Sequence, residues 1–142
     1  MKNTIELRGR GELTNVILSI RPKYINAIKQ GQKKYEFRKI IFRQPDIDNI
    51  YVYSTFPVKK IVGTLQIGDI IEDTPEMLWQ RFQKKAGVGE NEFFTYFNGN
   101  RKGFALKIND FQEFHKPIDP WFHNPDFIAP QSFCYISNPI TI

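Results

Sequence analysis

Between Val16 and Arg38 the hydrophobic period of this chain changes twice, at Pro22 and at Gly31. Val16-Ile17-Leu18-Ser19-Ile20 is apolar apart from one Ser and suits a buried strand. Pro22 fixes φ where a first helical turn can begin, and its missing N–H would be an orphan there anyway. Tyr24, Ile25 and Ile28 share one face of a short helix, Lys29 sits in its last turn, and Gly31 is placed for a left-handed cap. After Gly31 the period becomes two, so Lys33, Tyr35 and Phe37 take one side and Lys34, Glu36 and Arg38 the other. Strand, helix and strand are thus written in quick succession. Arg21, Lys23, Lys33, Lys34, Glu36 and Arg38 gather at or near the junctions.

Further along, Ile50–Ser54 is a short β-prone run closed by Thr55-Phe56-Pro57. Lys60–Ile67 alternates as a strand, and Gly63 within it marks a bulge or a close backbone approach. These two segments read as an antiparallel pair curving into a barrel. Asp73-Thr74-Pro75-Glu76 is a helix start, with a capping side chain, Pro in the first turn and an acid at the positive end of the dipole. Leu78, Trp79 and Phe82 form that helix's apolar face, and Lys84-Lys85 before Gly87 ends it. Glu90–Phe97 has Phe93, Phe94 and Phe97 at helical spacing, which assigns them to a core before a base-stacking platform. Asn98-Gly99 is its stop. Phe104–Ile108 and Phe133–Ile136 are two more strands. From Lys116 to Pro130, four prolines around Trp121-Phe122-His123 argue against a regular ladder. The class is α+β: about six strands in a small, curved, mostly antiparallel sheet with three short helices. Residues 1–15 are a basic arm or an edge strand, and residues 16–142 are expected to form one domain.

The strand-Arg-Pro-x-Tyr-helix-Gly-x-Lys-x-x-Glu-x-Arg arrangement of residues 16–38 resembles the opening of ASCH-type domains in the PUA-like superfamily. Tyr53-Ser54-Thr55-x-Pro57, Ile61-Val62-Gly63 and Pro130-Gln131-Ser132-Phe133 are similar to features of one branch of that group. The resemblance runs from about residue 16 to 138. It implies a PUA-like pseudobarrel with a cleft between the barrel and its first helix, to which the Lys33–Arg38 strand contributes.

Charge is unevenly placed along the chain. Residues 1–60 hold 13 Lys/Arg against 5 Asp/Glu, whereas residues 61–142 hold 7 against 10. A basic half of this kind attracts polyanions. No apolar run approaches the roughly 18 residues of a membrane span, and the first residues lack the apolar core of a signal peptide. The expectation is a cytoplasmic protein with no membrane partner. Cys134 is the only cysteine, and His115 and His123 have no clear third ligand, so neither a metal nor a cofactor is expected.

In a nucleic-acid cleft, Lys and Arg bind phosphate, the first as a point charge and the second bidentately. A carboxylate among them can accept from an exocyclic base amine. On this logic Arg21, Lys23, Lys33, Lys34, Glu36 and Arg38 are the candidate contacts, with Ser54 and Thr55 adding hydroxyls. The competing reading pairs Glu36 with Arg38 or Arg21 across a sheet surface. Some small ASCH-type proteins are amidohydrolases acting on an N4-acylated cytidine. Their motif has a Lys, a Thr three residues on, and a Glu from a later helical region. Lys33 matches the Lys, Glu36 stands where the Thr should be, and nothing in the spacing selects Glu90 or Glu92 as the later acid. Binding therefore ranks above catalysis by Lys33 and Glu36. The leading reading is a module for RNA or a modified nucleotide, with DNA as a further partner. A third reading is a regulatory domain, such as a transcriptional regulator, or a scaffolding domain: related PUA-like modules occur joined to helix-turn-helix domains, but this chain has no room for one.

Overall fold

The computed structural model describes residues 14–43, 47–137 and 140. Its elements in chain order are β1 (Thr14–Ile20), α1 (Pro22–Lys29), β2 (Tyr35–Arg38), β3 (Ile47–Ser54), β4 (Lys60–Asp73), α2 (Pro75–Phe82), α3 (Glu90–Phe97), β5 (Gly103–Ile118), α4 (Pro120–His123) and β6 (Phe133–Ile136). A 3-10 turn, Gln83–Lys85, follows α2. The six strands form one curled, half-barrel sheet in the order β2-β5-β4-β3-β1-β6. All neighbours are antiparallel except β1 and β3, which run parallel with Val16 opposite Ile50 and Ile20 opposite Ser54. That parallel pair is possible because α1 and β2 supply a crossover between them.

The opening stretch folds as its periods require. Val16, Leu18 and Ile20 are buried from β1, and Ile25 and Ile28 from α1 meet them in the main core. Gly31 has φ +79°, the left-handed conformation expected after a helix C-terminus. One expectation needs correcting. The strand after Gly31 begins at Tyr35, not Lys33; Lys33 makes only an isolated bridge with Ala86. It therefore escapes the strand's alternation.

β4 and β5 are longer than their hydrophobic alternation predicts, extending to Asp73 and Ile118. Pro117 lies inside β5, against the expectation of no ladder beyond Lys116. The pairing jumps there from Gly63↔Glu113 to Ile61↔Ile118, and such an irregularity accommodates a residue that cannot donate. Gly63 is where the sequence placed a close approach: a Cβ would collide with the Gln112 carbonyl and the Phe111 ring.

α2 and α3 are inserted at the tip of the β4–β5 hairpin, where Asp73 pairs with Gly103. Thr74 caps α2 by accepting from the Met77 N–H at 3.2 Å. Leu78, Phe93 and Phe97 form a second core with Phe37 and Ala105, confirming the helical-face assignment of those aromatics. The proline-rich return adds a fourth, one-turn helix, α4, one more than expected. Trp121 packs against Tyr53 and Phe127 at ring-centroid distances of 6.2 and 5.2 Å and pins the segment to the sheet. Phe122 beside it is almost fully exposed and pins nothing. The arm or edge strand expected for residues 1–15 lies outside the described residues except for Thr14 and Asn15, which begin β1. β3 begins at Ile47, three residues before the β-prone run Ile50–Ser54.

Candidate functional site

A pocket of about 610 Å³ opens between the end of β1, helix α1, strand β2 and helix α3. Three charged side chains make its floor. Arg38 Nε donates to Glu36 Oε2 at 3.0 Å, and Lys33 Nζ lies 3.6 Å from Glu36 Oε1. All three are buried. Lys33 Nζ also donates to the Ala86 carbonyl at 2.8 Å and sits 5.1 Å from the ring centroids of both Tyr24 and Phe37. The ring faces are electron-rich and suit a cation stripped of water.

Each member is placed by a local feature of the chain. Glu36 and Arg38 are two apart in β2, so alternation puts them on one side. Lys33 reaches the same carboxylate because it precedes the ladder. Gly87, with φ +68°, lets the backbone after the 3-10 turn press against the Lys33 stem, where a Cβ would clash. Arg38 has a second task. Its Nη2 donates to the Ser19 carbonyl and its Nη1 to Ser132 Oγ at 3.1 Å. β2 and β6 are the two ends of the strand order, so Arg38 ties one edge of the curled sheet to the segment that leads into the other.

Burial drives the Lys33 pKa below its usual value, and Glu36 only partly opposes this. At the mouth, Glu92 of α3 accepts from the Tyr24 hydroxyl and from Lys23 Nζ, and Arg21 Nη1 lies 3.9 Å away. Burial, then the hydrogen bond to Glu92, pushes the Tyr24 phenol well above its ordinary value. The same hydrogen bond, helped by Lys23 and Arg21, holds the Glu92 carboxyl low.

Of the residues singled out in the sequence, Arg21, Lys33, Glu36, Arg38 and Thr55 line this pocket. Lys23 stands at its rim through Glu92. Lys34 does not line it and borders a smaller hollow with Lys29 and Glu113. Ser54 is buried in its ladder and does not line the pocket. The expected Glu36–Arg38 pair exists, but inside the pocket rather than across an open sheet surface; Arg21 pairs with Glu92 instead. Of the two later acids, Glu92 lines the pocket and Glu90 does not. Asn91, Tyr96 and Gln131 also line it without having been singled out. For α3 a signal was present: Glu92 and Tyr96 are four apart, on one helix face.

A family model described as "Domain of unknown function (DUF365)" matches residues 13–124. The ASCH domain-containing ribonuclease of Zymomonas mobilis is 32% identical over 104 residues, covering 73% of this chain and 68% of the relative. The crystal structure of ASCH from Zymomonas mobilis aligns with a TM-score of 0.77 at 29% identity, over 86% of this chain and 87% of that one. A Tyr-to-Phe variant of the Zymomonas protein gives the same TM-score at 28% identity, over 86% and 89%. The half-barrel is thus that of the PUA-like fold that the opening motif resembles, and the chain belongs to the DUF365 family and is an ASCH-domain protein.

Proposed function

We propose that this protein acts on RNA by receiving one nucleotide unit in the pocket above Lys33, Glu36 and Arg38. The carrying observation is a buried carboxylate flanked by two cations at the base of a cavity large enough for a base and its sugar. A carboxylate in that position suits an exocyclic amine, while Arg21 and Lys23 at the mouth suit the phosphate. The relationship to a protein named a ribonuclease supports RNA as the polymer. Titration with the four ribonucleoside monophosphates tests the reading. Binding should be measurable with unequal preference among bases, and Val88→Trp, which fills the pocket from its wall, should abolish it. Equal binding to wild type and Val88→Trp would sink the pocket as the site.

A second reading is hydrolytic, and one observation favours it: the depressed pKa of Lys33. Burial favours the neutral amine, and that form could take the proton from a ribose 2′-hydroxyl as it attacks the adjacent phosphorus and return it to the departing 5′-oxygen, a 2′,3′-cyclic phosphate forming. The same amine could activate water against an N4-acylated cytidine. Incubation with labelled RNA and with acylated cytidine, followed by chromatography, separates the two. Products that persist in Lys33→Met would exclude Lys33 as the base.

A further inference from the structure

Outside the pocket, the backbones of four lysines come together at one corner of the sheet. The Lys34 N–H donates to the Lys85 carbonyl at 2.8 Å, and the Ile108 N–H to the Lys34 carbonyl at 2.9 Å. Tyr35 is paired with Lys107 across the β2–β5 ladder. Lys84 and Lys85 occupy the 3-10 turn that closes over this corner. Lys34, Lys84, Lys85 and Lys107 are all exposed, and among the described residues none has a carboxylate partner. Some other surface cations are neutralised, Lys29 by Glu113, Lys102 by Glu72 and Arg81 by Asp73.

Exposed ammonium groups carried on backbone this close hold a local excess of counterions. The corner shares a wall with the pocket. Ala86 accepts from Lys33 at the pocket floor, Gly87 packs on the Lys33 stem, and Val88 lines the cavity. Lys84 and Lys85 immediately precede these residues in the same segment. The inner side of residues 84–88 faces the nucleotide site, and its first two residues carry charge to the outside.

From this continuity we infer that Lys34, Lys84, Lys85 and Lys107 form a backbone-binding subsite for the RNA strand whose nucleotide occupies the pocket. The inference rests on the RNA reading above and extends it from a single nucleotide to a strand several nucleotides long. Its contacts are with phosphates, so it adds affinity and length dependence without base preference.

The test uses the full chain, a fluorescein-labelled 12-nucleotide single-stranded RNA, and a ribonucleoside monophosphate. Each is titrated across a salt series with wild type, Lys84→Glu/Lys85→Glu, and a control of equal charge change where the start of β4 meets the far end of β5, Lys60→Glu/Lys116→Glu. Removing two phosphate contacts from a single strand should flatten the slope of log affinity against log salt by about 1.4 for the 12-mer. The monophosphate should bind Lys84→Glu/Lys85→Glu as it binds wild type, and the control should keep most of the wild-type slope. An unchanged slope in Lys84→Glu/Lys85→Glu, or an equal flattening in the control, overturns the subsite. So does a variant that loses binding to phosphatidylserine vesicles but not to RNA. A wild type that binds the 12-mer with the expected Lys84/Lys85 dependence but ignores the monophosphate leaves the corner standing and refutes the pocket reading.

Discussion

The floor and the mouth of the pocket use the same chemistry under opposite conditions. At the floor, the side chains of Lys33, Glu36 and Arg38 are 3%, 7% and 8% exposed. At the mouth, those of Arg21, Lys23 and Glu92 are 64%, 58% and 36% exposed. Both regions place one carboxylate between two cations. Buried charges are held by each other because water cannot replace a lost partner. Exposed ones lose little when separated, since solvent and salt take over. The floor is therefore structural as well as chemical, and the mouth can rearrange around an anionic ligand at little expense in stability.

The largest expected effect comes from removing the shared carboxylate. Glu36→Ala strands two buried cations at once and should destabilise the protein by about 3–5 kcal/mol, read from urea denaturation. A loss below about 1 kcal/mol would show that the floor behaves like the mouth, and the comparison would collapse. Next is Gly87→Ala. The added Cβ meets the Lys33 stem, and the backbone is at φ +68°. A destabilisation of about 1–3 kcal/mol is expected from that conformation. Because Lys33 must shift, monophosphate affinity should fall with it.

Lys33→Met separates two roles that Glu36→Ala merges. Glu36 keeps Arg38 at 3.0 Å, so no charge is orphaned. The donor to the Ala86 carbonyl is lost, worth about 1 kcal/mol, with the 3.6 Å contact to Glu36, and relief from burying an ammonium offsets them. The pH dependence has a definite sign. The folded-state pKa of Lys33 lies below its usual value of 10.5, so between the two values the unfolded chain holds more protons. Stability from this group rises with pH across that window. Lys33→Met should lack this alkaline gain when melting is followed from neutral pH to pH ~10.

How much of this was legible in the sequence follows from the range of the forces involved. The β1–α1–β2 opening was readable because Pro22, Gly31 and the change of period act within a few residues. So were the helix start at Thr74 and the close approach at Gly63. The far halves of β4 and β5 were not, because residues such as Asp69, Glu72, Asp110 and Glu113 lack alternation. Pairing across a long hairpin, rather than propensity, makes them strands. At the site, Glu36 with Arg38 followed from alternation. Lys33 joined them against alternation, since the Ala86 bridge holds it outside the ladder. Glu92 arrives from a helix more than fifty residues later in sequence. Local pattern offered it and Glu90 as equals, and only the packing of α3 beside α1 chooses between them.

The smallest effect belongs to Glu92 itself, and it tests the mouth directly. Its carboxyl titrates below the usual 4.5 because Tyr24 donates to it and Lys23 and Arg21 stand close. A depressed carboxylate contributes stability that is complete above the unfolded value and is lost as pH falls through the lowered folded one. Glu92→Gln keeps an acceptor for the Tyr24 hydroxyl but removes the attraction to both cations. With these groups half in solvent, the loss at neutral pH should be at most about 1 kcal/mol. The gap in melting temperature between wild type and Glu92→Gln should close as pH falls through the acid range. It should also shrink in 1 M salt, where screening reaches about 3 Å. Monophosphate binding should move the other way, since the variant leaves Arg21 and Lys23 free for a phosphate. A Glu92→Gln protein that is several kcal/mol less stable, in a manner insensitive to salt, would make the mouth a second buried floor. The distinction between the two regions would then fail.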